Sequence, residues 1–235
     1  MGSRNWVDAS AIGEHALGKV RGEVSALVAR ASLWANPEAF YVLPALNPWS
    51  RLARGDERPG STVLDWGPRV FHPAWDDPTN LAPVAVKLLD ERTLARQFLR
   101  LVAPRLSPAR FSVRTVWPDT ASDARYASCI GNLVALPASI SPLLEVSLAA
   151  RLALRGRAER LFGWRPDGLA PTEGAEGAGL EWRAPEPFPA LARRALLRRR
   201  KYLARLPEKL LGELSPNERE KAVRAEFDFG RSRRS

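Results

Sequence analysis

The sequence predicts a mixed α+β protein, rich in helix, with a small central sheet and a basic helical segment at its carboxyl end. Apolar residues recur at helical spacing in several stretches, whereas residues 110–117 alternate apolar and polar side chains as a strand does. Basic residues concentrate from Arg183 onward, where fifteen Lys and Arg face seven Asp and Glu, although the chain before is nearly neutral. Most of the net charge of +10 therefore lies in one segment.

Size and composition exclude several classes of protein. A chain of 235 residues can bury a sizeable core. The single cysteine, Cys129, excludes an internal disulfide framework and a multi-cysteine zinc site, and we interpret it as a buried structural residue. No apolar run reaches the roughly 20 residues of a membrane span, and the amino end lacks the apolar core of a signal peptide. We therefore expect a cytoplasmic protein with no membrane contact and no cofactor.

The first part of the chain predicts one helix followed by proline-rich structure. Residues 8–34 have helical spacing. Residues 40–83 contain seven prolines, which forbid long helices, so we expect short strands at residues 40–43 and 63–66 between ordered loops. The tryptophans of this part, Trp49, Trp66 and Trp75, are interpreted as core anchors in preference to platforms for stacking bases.

A strand, a helix and a second strand are predicted next. Residues 83–89 form an apolar run, Asp90 is a candidate helix cap, and residues 110–117 give the clearest strand signal. A parallel pair with a right-handed crossover fits this order, and an antiparallel arrangement remains open. Three arginines at helical spacing form either a basic ridge or an ordinary solvated face of the helix: Arg92, Arg96 and Arg100.

Loop and helix signals follow in the second half. Residues 119–138 resemble a loop, and Ser141-Pro142 is typical of a helix start, so we expect a largely buried helix over residues 143–154. Its end turns basic with Arg151, Arg155, Arg157, Arg160 and Arg165. Ser215 and Glu218 form a capping box that begins a last helix over residues 216–227.

Composition divides the chain into three parts. We expect a globular α+β core at residues 1–166 and a flexible linker or loop at residues 167–181, which is rich in Gly, Ala and Glu. Residues 182–235 then form a basic helical segment with a disordered end.

The basic segment contains an amphipathic helix over residues 188–206. At about 100° per residue, one side of this helix is apolar, and its residues are Phe188, Leu191, Ala192, Ala195, Tyr202, Leu203 and Leu206. Arg199 projects into that side and breaks the pattern. The opposite side gives the candidate nucleic-acid-binding residues: Arg193, Arg194, Arg198, Arg200, Lys201 and Arg205.

These features favour a non-catalytic nucleic-acid-binding subunit, part of a ribonucleoprotein or another multi-protein nucleic-acid complex. Its arginines would contact phosphates independently of sequence, with other protein subunits as partners. RNA is slightly favoured over DNA because no DNA-reading motif is visible. Two alternatives remain open, namely a structural or interaction protein that docks on an acidic partner and a solvated basic tail.

A second alternative function is an HNH-like metal-dependent nuclease. The sequence DDPTNL at residues 76–81 is similar to the central segment of HNH nucleases, and residues 130–134, IGNLV, show a shorter likeness to HNH-related enzymes. The resemblance implies a metal site in which His72, Asp76 and Asp77 take part. The chain departs from the family because it lacks the paired upstream histidines and the downstream His or Cys ligand, so carboxylates would complete the coordination.

Overall fold

The fold consists of α-helices and two small β-sheets, which confirms the predicted α+β class. The computed structural model describes residues 9–68, 81–172, 177, 179–203 and 205–220. The helices are α1 (Ala9–Ala31), α2 (Pro37–Val42), α3 (Glu91–Val102), α4 (Leu143–Val146), α5 (Leu148–Phe162), α6 (Ala190–Leu203) and α7 (Leu206–Glu213). The strands are β1 (Ser50–Leu52), β2 (Thr62–Pro68), β3 (Leu81–Leu89), β4 (Phe111–Thr115) and β5 (Leu133–Pro137).

The first sheet has the strand order β1-β3-β2. The central strand β3 pairs in parallel with β1, where Ser50 is opposite Lys87, and antiparallel with β2, where Thr62 is opposite Lys87. The strands predicted at residues 63–66 and 83–89 are thereby confirmed. Helix α7 covers this sheet, since Leu210 packs with Trp49 in a small apolar cluster.

The second sheet is the antiparallel pair β4-β5, with Phe111 opposite Pro137 and Thr115 opposite Leu133. The two strands around α3 pair neither in parallel nor antiparallel, the two arrangements that the sequence left open, because β3 and β4 belong to different sheets. Strand β5 was missed, because the sequence predicts a loop over residues 119–138. Residues 133–136 are all buried, so they lack the alternation of polar and apolar residues that marks a half-exposed strand.

Two helices begin at positions where the sequence predicts a different structure. Residues 40–42 belong to α2 and do not form the predicted strand, because Asn36 Oδ1 accepts a hydrogen bond from the backbone N–H of Glu38 at 2.9 Å and Pro37 occupies the first turn. Proline is excluded from helix interiors but suits this position. The sequence predicts one buried helix over residues 143–154. The structure has two helices there, because the helix is interrupted at Ser147, whose hydroxyl caps α5.

The break at Ser147 also changes what is buried. Val146 and Leu148 on either side of it are 83% and 59% exposed, so the predicted burial of this stretch is wrong there. Ser141, predicted as a helix cap, instead accepts a hydrogen bond from Arg114 Nε at 2.6 Å. Helix α5 ends at Phe162 and is capped by Gly163, which takes the left-handed conformation (φ 61°) that glycine adopts without strain.

Aromatic rings fill the main core between α1, α2 and α5. Phe40 and Phe162 have ring centroids 5.3 Å apart, and Trp117 meets Trp164 edge to face at 5.7 Å. Trp49 is buried too, which confirms core anchoring for that residue. Trp75 lies outside the described residues, as does the side chain of Trp66. The tryptophans with described side chains thus contribute to packing.

The segment between α5 and α6 is held against the core by specific contacts. The Tyr126 hydroxyl donates to Asp167 at 2.8 Å, and the Thr172 hydroxyl donates to Glu159 of α5 at 2.9 Å. Burial raises the pKa of Tyr126 above its usual value, and the hydrogen bond to Asp167 raises it further by a smaller amount. The division of the chain into core, linker and basic segment stays a prediction. None of the described helices has the length and apolarity that crossing a membrane requires.

Candidate nucleic-acid interface

Helix α6 is attached to the core by an arginine. Arg199 donates from Nε to the backbone oxygen of Leu46 at 3.1 Å and from Nη2 to Oδ1 of Asn47 at 2.9 Å. Asn47 in turn donates to Gln97 Oε1 of α3 at 2.6 Å. Burial lowers the pKa of the Arg199 guanidinium from its usual value, but arginine stays charged at neutral pH. The oxygens of Leu46 and Asn47 therefore solvate a partly buried positive charge.

The face of α6 that meets the core differs from the predicted one. The more buried residues are Ala192, Leu196, Arg199, Arg200 and Leu203. Leu191 and Tyr202, which were predicted to dock, are 77% and 53% exposed. At 100° per residue, the observed stripe is turned by about 60° from the predicted one. Arg199, the exception in the predicted stripe, lies at the edge of the observed one, where its bonds to Leu46 and Asn47 hold it against the core.

Five of the six candidate residues point to solvent. Arg200 is half-buried. The exposed residues are Arg193, Arg194, Arg198, Lys201 and Arg205. Within the described part of the chain, the side chains of these five form no hydrogen bond and no ion pair. Helix α6 itself contains no acidic residue, so its outer surface carries uncompensated positive charge.

Exposed apolar side chains interrupt this basic surface. Leu191, Leu197 and Tyr202 are all exposed, and Lys209 of α7 places Nζ 5.2 Å from the centroid of the Tyr202 ring. An isolated solvated helix face does not require such residues. The surface is thus mixed, with Leu197 among the cations and Leu191 and Tyr202 at their edge.

The arginines of α5, and Arg165 just after it, differ in their environments, although the sequence predicts one basic region there. Arg160 and Arg165 are exposed, but Arg151, Arg155 and Arg157 are half-buried. The Nε atoms of these three are buried and have no partner among the described residues. The Arg157 guanidinium lies 5.6 Å from the Trp182 ring centroid. Burial, followed by the charge of Arg160, lowers the pKa of Arg157.

Cys129 is fully buried, which confirms the structural interpretation. Burial raises the pKa of its thiol to about 12, so the reactive thiolate is negligible at neutral pH. The backbone N–H groups of Gly131 and Asn132 lower this pKa, but their effect is smaller than that of burial. Cys129 therefore lacks the exposure and ionisation that a nucleophile requires.

The HNH-like segment with His72, Asp76 and Asp77 lies outside the described residues. The shorter likeness at residues 130–134 falls in the core. Asn132 Oδ1 accepts from the backbone N–H of Trp117 at 3.0 Å, and Nδ2 donates to the Tyr126 carbonyl at 3.0 Å. These bonds assign Asn132 a structural role. Among the residues with a described position, no three His, Cys, Asp or Glu side chains come together as metal ligands would.

Comparison with known proteins gives no relative. The chain matches no family model, no curated protein and no solved structure. Any functional conclusion therefore depends on the geometry and charge of this chain alone.

Proposed function

We propose that the protein is a non-catalytic nucleic-acid-binding subunit that contacts phosphates through the exposed basic residues of α6 and Arg205. The observation that carries this proposal is a set of five exposed cations that form no ion pair among the described residues. Four of them are on α6, which Arg199 fixes to the core, and Arg205 follows that helix. Guanidinium groups that are not already paired keep their donors for phosphate oxygens. A helix with a fixed orientation presents these donors together.

The chemistry of this surface favours binding that is independent of sequence. Phosphate contacts position a protein on a nucleic acid, whereas base contacts select a sequence. We propose RNA as the preferred ligand, in a cytoplasmic ribonucleoprotein or another multi-protein nucleic-acid complex, because the sequence has no DNA-reading motif. Exposed Leu191 and Tyr202 at the edge of the basic surface are compatible with further protein subunits.

The test is binding of labelled single-stranded RNA, single-stranded DNA and duplex DNA over a salt series, after a high-salt wash. The key variant replaces all five exposed cations by glutamine and retains Arg199 and Arg200. Each phosphate contact on a single strand contributes about 0.7 to the slope of log affinity against log salt. Five lost contacts should therefore flatten the slope for RNA by about 3.5 and weaken binding at least a hundredfold.

A matched control removes the same charge elsewhere. Its five arginines are also exposed but lie outside α6: Arg58, Arg100, Arg105, Arg110 and Arg160. This control should keep most of the affinity and most of the salt slope. Equal weakening by both variants would mean that net charge alone attracts nucleic acid. Unchanged binding in the α6 variant would exclude α6 as the interface.

The mixed character of the surface also favours a second candidate, namely docking of α6 on an acidic protein. Leu191, Leu197 and Tyr202 lie among the cations, as apolar anchors do in protein interfaces. Replacing Leu191 and Leu197 by serine leaves every charge in place. Retained RNA binding in this variant supports the nucleic-acid proposal. Loss of a co-purifying acidic subunit, together with weak RNA binding of the original protein, would favour the second candidate.

A further inference from the structure

Among the described residues, one edge of strand β4 has no partner strand. Its other edge pairs with β5, in which Ala135 exchanges backbone hydrogen bonds with Leu33 at 2.8 and 3.1 Å on the far side. Since Ala135 is directly opposite Val113, the N–H and C=O of Val113 point away from β5. The two-residue period gives Phe111 and Thr115 the same orientation. Leu33 thus covers the outer edge of β5, while the outer edge of β4 pairs with no strand among the described residues.

A groove of about 600 Å³ runs along this open edge, between β4 and α3. Residues 111–114 all line it. Because successive strand residues point to opposite faces, four consecutive residues can line one groove only if it follows the strand's edge. The facing wall is the first half of α3, with Arg92, Ala95 and Arg96.

The groove is basic. Arg92 and Arg96 are exposed, and their side chains form no hydrogen bond or ion pair within the described part of the chain. Arg114 is held by Ser141 and lies 3.3 Å from Glu145. Glu91 also lines the groove, and the charge of Arg114 is paired with Glu145, so the guanidinium groups of Arg92 and Arg96 stand against one lining carboxylate. An occupant with negative charge complements this surface.

We propose that this groove binds an extended acidic peptide segment, which adds to β4 as a third strand. The amide groups of the peptide would pair with those of Phe111, Val113 and Thr115 and supply affinity, while Arg92 and Arg96 select acidic side chains. A nucleic acid satisfies the charges but has no alternating N–H and C=O groups for a strand edge, so the edge favours a peptide. The proposal does not involve α6 and stands or falls independently of RNA binding.

The first experiment selects peptides on the intact chain from a displayed library of random peptides. We expect the enriched peptides to combine acidic residues with alternating β-branched residues, and an alternating Val–Glu peptide to bind. The variant R92Q/R96Q should weaken binding about three- to tenfold, since it removes two charge contacts. The control R100Q/R105Q removes the same charge from exposed positions outside the groove and should bind normally. Absence of enrichment, or enrichment of neutral or basic peptides, would overturn the proposal.

The second experiment tests strand addition without changing the protein. Methylating the backbone nitrogens at alternate residues of the bound peptide removes donors from one edge only. Methylation of the residues whose N–H groups face β4 should abolish binding, whereas methylation of the intervening residues should be tolerated. Equal effects of the two methylation patterns would exclude a third strand. Binding of a single-stranded oligonucleotide that depends on Arg92 and Arg96, with no peptide bound, would also overturn the proposal.

Discussion

Helices α5 and α6 are both rich in arginine, yet they place it in opposite environments. In α5, Arg151, Arg155 and Arg157 are half-buried and their Nε atoms are shielded from water. In α6, Arg193 and Arg194 are exposed like most of the cations on that helix. The same residue type therefore covers the core in one helix and faces solvent in the other.

The small residues between the arginines account for this difference. Helix α5 buries Ala150, Ala153, Gly156 and Ala158, which bring its axis close to the core. The aliphatic stems of its arginines then lie along the apolar surface. Helix α6 fully buries only Leu203 among its described residues, so its arginines other than Arg199 and Arg200 are exposed to solvent. Arginine content alone thus does not locate a phosphate-binding surface, because the neighbouring residues decide which guanidinium groups remain accessible.

Leucine truncation should give the largest difference between the two helices. Leu154 of α5 is 1% exposed, whereas Leu197 of α6 is 42% exposed. Leu154→Ala should lower the free energy of unfolding by about 2–5 kcal/mol, the usual cost of a cavity in a core. Leu197→Ala should change it by less than about 0.5 kcal/mol. Urea denaturation of both variants measures this, and similar losses would show that α6 is packed as tightly as α5.

The attachment of α6 can be tested with neighbouring arginines. Arg199→Met removes the donors to Leu46 and Asn47, leaves two partly buried acceptors unpaired, and should cost about 1–3 kcal/mol of unfolding free energy. Arg198→Met removes the same charge from an exposed position, so stability should stay within about 0.5 kcal/mol. Equal stabilities of the two variants in urea would show that Arg199 does not hold the helix.

The salt dependence of RNA binding separates accessible from covered arginines. Arg193→Gln with Arg194→Gln should lower the steepness of log affinity against log salt by about 1.4, because two single-strand phosphate contacts are lost. Arg155→Gln with Arg157→Gln removes equal charge from half-buried positions and should leave the slope unchanged. Circular dichroism confirms that each variant is folded. A lower slope in the α5 variant would place its arginines at the interface and remove the distinction between the helices.

Local chemistry made part of this fold predictable from sequence. The cap at Asp90 is confirmed, since its carboxylate accepts from the backbone N–H of Thr93 at 2.6 Å. The capping box is confirmed as well, because Glu218 Oε2 accepts from the Ser215 backbone N–H at 3.0 Å, the Ser215 hydroxyl accepts from the Glu218 backbone N–H at 3.4 Å, and a helix is described over residues 216–220. Such bonds join residues close in sequence, so their signal is complete within a few positions.

Features that depend on distant partners were not predictable in the same way. Strand β5 has a uniformly apolar sequence because it is covered on both faces, and that burial is set by other parts of the chain. The exposed cations of α6 were identified from charge alone, but the role of Arg199 was missed because its acceptors, Leu46 and Asn47, lie about 150 residues away. A single charge within an apolar stripe was the available signal, since such a residue requires buried oxygen acceptors.

Helix α3, which also carries exposed arginines, should show the smallest and most pH-dependent effect. The Asp90 carboxylate caps the first turn of this helix. The hydrogen bond that it accepts from the Thr93 backbone N–H is the largest of the effects that lower its pKa. Asp90→Ala should cost about 1 kcal/mol of unfolding free energy at neutral pH. A carboxyl with a lowered pKa stabilises the fold above its unfolded value, near pH 3.9, and this contribution disappears as the pH falls through the folded value.

The cost of Asp90→Ala should therefore shrink in urea titrations at progressively lower pH. Asp56→Ala is the matched control, because Asp56 is exposed in a loop and makes no side-chain bond among the described residues. It should leave the unfolding free energy nearly unchanged at every pH. In contrast to α3, α6 has no acidic residue in its first turn, so the stability contributed by α6 should not share this acidic loss. A cost for Asp90→Ala that persisted unchanged into acid would show that the neutral carboxyl caps α3 equally well.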